Sequence, residues 1–200
     1  MEKLLLAMIV FSIILSSCSA GQVEIMPSYG NEVSDFEVTD QNDEAFKRSD
    51  MDGKVWLVNF IFTNCKTVCP PMTMNLTETA KELEDENVKN YGILSFTVDP
   101  EEDTPEVIAD YIGWFDIPEE TEWHLVTGYS PDVIKRFAKA NFKTNVDPPK
   151  AGEDQATHST ALYLVDAEGT IIKHYSGIDF GDDSYPIEEV VNDVKTLAPR

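Results

Sequence analysis

The sequence predicts one α/β domain with a central mixed sheet flanked by helices and a hairpin at its N-terminal edge. Three observations carry that expectation. Val55-Trp56-Leu57-Val58-Asn59-Phe60-Ile61-Phe62 and Tyr91–Val98 are near-continuous runs rich in β-branched and aromatic residues, the pattern of strands buried on both faces. Segments with apolar residues at helical spacing alternate with such runs, so the central strands are parallel and their crossovers right-handed. Late in the chain, Ser159–Val165 and Thr170–Tyr175 flank Asp166-Ala167-Glu168-Gly169, a hairpin turn that adds antiparallel strands.

Taken in order, Val33–Thr39 alternates apolar and polar, and Asp40-Gln41-Asn42-Asp43 turns it back into Ala45-Phe46 as an edge hairpin. Asp52-Gly53 punctuates before the first central strand. Pro70 and Pro71 suit the first turn of a helix, where the missing N–H costs nothing, and Met72, Leu76, Ala80 and Leu83 follow at helical spacing. Asp99-Pro100 ends the second central strand. Asp103-Thr104-Pro105-Glu106 reads as a helix start capped by Asp103, and the helix runs through Ile112. Trp123–Thr127 is a short strand, and Ser130-Pro131-Asp132 caps a helix over Val133–Asn141. Phe142–Thr157 is a long loop with Pro148, Pro149 and Gly152, and Tyr185-Pro186 leads into a final helix through Leu197. Hairpin, β, α, β, α, β, α, loop, β, β, α is the order of a thioredoxin-like sheet with an insertion. With no internal repeat, residues 33–200 read as a single domain.

The chain has 200 residues, 42% of them hydrophobic and 10% aromatic, which suits a globular domain with a real core. Its formal charge of -22 repels polyanions, which excludes DNA and RNA as ligands and favours cations and basic surfaces. Residues 1–17 read as a targeting segment. Lys3 precedes an apolar stretch, Leu4–Leu15, too short for a comfortable membrane span. Leu15-Ser16-Ser17-Cys18 resembles a bacterial lipoprotein signal, which implies that Cys18 is lipidated and becomes the new N-terminus. Residues 18–32 then serve as a tether, and the domain is expected outside the cytoplasm, lipid-anchored to the bacterial cell membrane, where disulfides are permitted.

That arithmetic leaves Cys65 and Cys69 as a pair. A strand delivers their loop, and a helix N-terminus behind it favours thiolate over thiol. A staple closing so few residues removes little loop entropy, so the pair is expected to do chemistry: thiol–disulfide exchange or binding of a soft metal ion. Four-residue spacing puts both sulfurs on one face if the second half of the loop is helical. Among the histidines, His124 and His174 fall on strands and read as solvent-facing or satisfied, whereas His158 ends the long loop just before a strand. Asp99 and Asp103 have ordinary structural uses at a strand end and a helix cap. They also lie at the carboxyl end of a parallel strand, where open α/β sheets build sites, so they are candidates for charge around the site or for a docking surface. Met72, Trp56 and Trp123 read as core, with Met74 on another face.

Phe62-Thr63-Asn64-Cys65-Lys66-Thr67-Val68-Cys69-Pro70-Pro71-Met72-Thr73 resembles the signature of the Sco/SenC family, thioredoxin-fold proteins implicated in copper delivery to cytochrome c oxidase. The resemblance continues through Val98-Asp99-Pro100-Glu101-Glu102-Asp103-Thr104-Pro105 and Asp154-Gln155-Ala156-Thr157-His158-Ser159-Thr160, and covers residues 33–196. It implies that Cys65, Cys69 and His158 bind copper, a soft donor set suited to Cu(I) and usable by Cu(II). Zinc would want a fourth ligand, and no compact set of further His or Cys residues offers one. The implied function is a membrane-anchored metallochaperone whose partner is the cytochrome c oxidase subunit carrying the dinuclear copper site. The alternative is an extracytoplasmic thiol–disulfide oxidoreductase that uses Cys65 and Cys69 on cysteines of that site or of other partners. A peroxidase is disfavoured, because the loop offers Thr63, Asn64 and Thr67 but no nearby arginine.

Overall fold

The computed structural model describes residues 23–149, 156–179, 181 and 184–199. The expected signal segment, Cys18, and part of the long loop lie outside the described residues. The strands are β1 (Glu37–Asp40), β2 (Ala45–Lys47), β3 (Val55–Ile61), β4 (Tyr91–Thr97), β5 (Trp123–Thr127), β6 (Ala161–Val165) and β7 (Ile171–Ser176). The helices are α1 (Cys69–Asp85), α2 (Pro105–Ile112), α3 (Pro131–Phe142) and α4 (Ile187–Leu197), and a 3-10 turn spans Arg48–Met51. The order of elements is the one expected from the sequence.

One seven-stranded mixed sheet runs β2-β1-β5-β4-β3-β6-β7. Its centre, β3-β4-β5, is parallel, and β1, β2, β6 and β7 pair antiparallel around it. Every residue of β3 is buried, as a strand covered on both faces must be. On one face, Leu57 and Ile93 pack with Leu76, Ala80 and Leu83 of α1 and Val190 and Val194 of α4. On the other, Phe60, Phe96 and Tyr163 pack with Ile134, Ala138 and Phe142 of α3. In β4, Gly92 is required by its neighbour: a Cβ there would meet the Trp56 ring at 2.5 Å. Trp56 cannot retreat easily, since its indole N–H donates to the Met51 carbonyl at 2.9 Å.

Register decides where the site is built. Ile61 of β3 pairs with Thr97 of β4, so the two strands end together and their loops, 62–68 and 98–104, leave the sheet side by side.

Three expectations are corrected. The first strand is Glu37–Asp40, not Val33–Thr39, because Val33 leaves the ladder to donate its N–H to Gly169 and Ser34 donates to the Asn141 side chain. The stretch expected as a tether up to Glu32 is docked from Met26 onward. Met26 and Gly30 donate to Ile172 and Ile171, each at 2.9 Å, and Glu32 bridges Thr170. The edge of β7 would otherwise expose a row of unpaired backbone groups, so the folded unit starts before Val33. Asp103 does not cap α2. Thr104 does, its hydroxyl accepting the Val107 N–H at 3.4 Å, while Asp103 turns inward.

Candidate metal centre

Cys65 lies in the loop that β3 delivers, and Cys69 is the first residue of α1. With Pro70 and Pro71 filling the first turn, the helix begins without needing those donors, and the Cys69 N–H is left to point at the preceding loop. It donates to Cys65 Sγ at 3.3 Å. Both cysteines are buried and reduced. His158 arrives from the far side of the chain. Its Nε2 is 3.2 Å from Cys69 Sγ, and its Nδ1 is 3.0 Å from the Ser159 carbonyl. A carbonyl only accepts, so Nδ1 carries the proton and Nε2 presents a lone pair to the sulfurs. The Phe62 ring packs edge-on against the imidazole at 5.7 Å. Sγ of Cys65, Sγ of Cys69 and a His158 nitrogen all lie within 4.8 Å of one another, the one such cluster of three among the described residues.

Surrounding groups hold this cluster in place. Asp147 and Thr157 exchange both backbone hydrogen bonds, at 2.7 and 2.9 Å, which clips the long loop just before His158. Beyond it, Gly177 N–H donates to Thr160 O at 2.7 Å and Gly177 O accepts from Asn75 of α1 at 3.0 Å. Only glycine allows that approach, since a Cβ at 177 would lie 2.5 Å from the Thr160 oxygen.

The two thiols are driven apart electrostatically. The Cys69 side chain, helped by the Thr67 and Cys69 backbone N–H groups, holds the Cys65 thiol well below its usual range against the effect of burial. Burial, then the neighbouring Cys65 thiolate, pushes the Cys69 thiol far up. The reduced pair is therefore one thiolate and one thiol at neutral pH.

Of the remaining candidates, Asp103 and Asp99 are not members of the cluster. Asp103 is 1% exposed and accepts from the Thr63 N–H at 3.2 Å and from the hydroxyls of Thr63 and Thr97. It ties the root of the cysteine loop to the end of β4. Burial raises its carboxyl, opposed by those three donors. Asp99 is pushed up to about 6, first by burial and then by Asp103, Glu102 and Glu101. His124 and His174 are satisfied away from the cluster. His124 Nδ1 is 3.0 Å from Asp40 and its ring stacks on Phe46, and His174 Nδ1 meets the Tyr29 hydroxyl at 3.1 Å. Met72 is buried and Met74 exposed, as expected.

Sequence reasoning missed the parts played by Thr63 and Thr97 and, one turn into α1, by Thr73. The Thr73 hydroxyl donates to the Cys69 carbonyl at 3.0 Å and lies 2.9 Å from the Tyr111 hydroxyl of α2. The only available signal was polar threonines at the ends of apolar runs. Chemically, two sulfurs and an imidazole lone pair suit a soft, low-coordinate ion such as Cu(I), and the cluster contains no fourth His, Cys or carboxylate for tetrahedral zinc.

The SCO1/SenC family model matches residues 26–198. A SCO1/SenC family lipoprotein from Bacillus anthracis superposes with a TM-score of 0.78 at 38% identity, covering 87% of this chain and 99% of that one. BsSco, described as a member of the Sco family of cytochrome c oxidase assembly proteins with a disulfide switch, gives 0.75 at 36% identity, covering 88% and 98%. Yeast Sco1 with copper bound gives 0.67 at 25% identity, covering 84% and 91%. The family match over nearly the whole folded region, on a thioredoxin-like sheet that carries the paired cysteines, shows that the chain belongs to the SCO1/SenC family.

Proposed function

We propose that this chain binds one copper ion through Cys65, Cys69 and His158 and passes it to the dinuclear copper site of a cytochrome c oxidase subunit, working from a lipid anchor at Cys18 on the extracytoplasmic side of the membrane. The observation that carries this reading is the convergence of two sulfurs and an imidazole nitrogen within 4.8 Å, from segments far apart in sequence. The copper-bound state of yeast Sco1 and the oxidase-assembly role of BsSco support the choice of ion and recipient. The lipoprotein relative and the Leu15-Ser16-Ser17-Cys18 sequence support the anchor.

In this reading the chain supplies a site loaded as one thiolate and one thiol, so binding Cu(I) through both sulfurs releases the Cys69 proton. The test is an anaerobic Cu(I) titration of the reduced chain against a competing chelator. One equivalent should bind, with affinity reduced at least about tenfold in His158→Ala and abolished in Cys65→Ala/Cys69→Ala. Equal affinity in His158→Ala and the unaltered chain would remove histidine from the ligand set.

A second reading is favoured by the split between the thiols. A Cys65 thiolate can attack one sulfur of a partner disulfide and expel the other as thiolate. Cys69, once deprotonated, then attacks the Cys65 sulfur and releases the second partner thiolate, leaving Cys65–Cys69 oxidised and the partner reduced. Stoichiometric reduction of an oxidised recipient domain, with no copper required, supports this role. Copper transfer to a recipient that is already reduced supports the first.

A further inference from the structure

Large apolar side chains stand exposed along the junction of α1 and α2. Trp114 is 76% exposed, Met74 59% and Val107 38%. Val107 and Trp114 are seven residues apart, so they share one stripe of α2 and of the turn that continues it, where Trp114 N–H donates to Tyr111 O at 3.2 Å. Between them Tyr111 is buried, joined to Thr73 of α1 through its hydroxyl and packed against the Trp114 ring at 5.9 Å. On α1, Met74 and Lys81 are also seven apart, and Lys81 reaches Asp116 at 3.4 Å, so the Met74 face of α1 borders the end of α2. Met74 is five residues beyond Cys69, about 7.5 Å along the helix.

The surroundings of this stripe are acidic. Residues 99–122 contain no lysine or arginine, and Glu106 and Asp110 are exposed beside Val107 and Trp114. Such a rim repels an anionic lipid surface. It also repels a second copy of a chain whose formal charge is -22. Lys81, paired with Asp116, is the one cation named on this face, and an aromatic anchor inside a polar, mainly acidic rim is the anatomy of a protein interface.

We propose that this face docks a protein partner that presents an apolar pocket, rimmed by lysine and arginine, to Trp114. The inference rests on the copper-transfer reading above, because the Trp114 face is tied to the metal centre through Tyr111, the Thr73 hydroxyl and the Cys69 carbonyl. Exposed charge governs the encounter rate, and Trp114, once buried in the partner's pocket, the lifetime of the complex.

The experiment follows copper movement by stopped flow from the Cu(I)-loaded chain to the purified soluble domain of the oxidase subunit from the same organism, at low and high salt. Trp114→Ser should slow second-order transfer at least about tenfold, and Glu106→Lys/Asp110→Lys should slow it while weakening its salt dependence. Both variants should keep the circular dichroism spectrum and Cu(I) affinity of the unaltered chain. Transfer from Trp114→Ser at the unaltered rate would overturn the docking face and leave the copper-transfer reading standing. Self-association of the unaltered chain that Trp114→Ser abolishes would assign the face to a second copy and overturn it too. No transfer from the unaltered chain, with copper bound, would overturn the copper-transfer reading and this face with it.

Discussion

Asp103→Ala removes the carboxylate that joins the root of the cysteine loop to β4. The side chain is 1% exposed and accepts three hydrogen bonds: from Thr63 N–H and from the hydroxyls of Thr63 and Thr97. Each buried donor left without a partner costs about 1–3 kcal/mol, although the two hydroxyls can rotate toward other acceptors and the Thr63 N–H cannot. Against that loss stands relief from burying a charge, which the raised carboxyl pKa records. The balance is a net loss of about 2–4 kcal/mol, or a fall in Tm of roughly 4–16 °C for a chain of this size. Asp103→Asn keeps the shape and one acceptor, so its loss should be about half as large. Chemical denaturation with m held constant measures both. The same substitution frees Thr63, two residues before Cys65, so Cu(I) affinity should fall in Asp103→Ala and partly recover in Asp103→Asn. A change in stability of less than about 0.5 kcal/mol in Asp103→Ala would refute the reasoning, since a buried carboxylate with three donors cannot vanish that cheaply.

Three further outcomes follow from the same geometry. The reduced chain should show thiolate ultraviolet absorbance equal to one sulfur per molecule from pH 5 to 8, lost in Cys65→Ser and retained in Cys69→Ser at a higher pKa, because the Cys69 thiol is the largest contributor to the Cys65 shift. Burial depresses the His124 pKa, but the carboxylates of Glu122 and Asp40 outweigh it and raise it above 6.5. The stability this contributes is complete below pH 6.5 and is lost as pH rises through the folded-state value. Asp40 is lowered from 3.8 despite burial, by the Asn42 and Glu44 N–H groups and then His124, so its contribution is lost on the acid side as pH falls through its folded-state value. Denaturation midpoints of His124→Gln should therefore differ most from those of the unaltered chain between about pH 4 and 6.5 and converge toward pH 9, and a constant difference across that range would contradict the assignment. Gly177→Ala forces a Cβ to within 2.5 Å of the Thr160 oxygen, so either β7 or the segment after His158 must move. A destabilisation of about 1–3 kcal/mol and weaker Cu(I) binding are expected, and a neutral alanine would mean that this contact does not position the histidine.

Much of the architecture was legible because it depends on periodicity. The apolar runs at β3 and β4 are long enough to demand burial on both faces, and Asp166–Gly169 is a turn whatever surrounds it. What failed was local chemistry with two equally good outlets. Asp103-Thr104-Pro105-Glu106 offers two side chains able to cap α2, and burial of Asp103 against Thr63 and Thr97 decided which one does. Docking of Met26–Glu32 along β7 left no trace in side-chain pattern, because its bonds are backbone bonds to an open edge.

At the site, Cys65 and Cys69 declared themselves by spacing and by the flanking strand and prolines. By itself the sequence determined that a reducible pair sits at a strand-to-helix junction in a highly acidic chain, and family resemblance added His158. Only the tertiary structure decided which nitrogen of His158 faces the sulfurs, which cysteine is the thiolate, and that Trp114 stands exposed beside α1. The reason is physical. Periodicity and turn chemistry act over a few residues, whereas a pKa, a tautomer and a surface are set by groups that meet only when segments distant in sequence pack together.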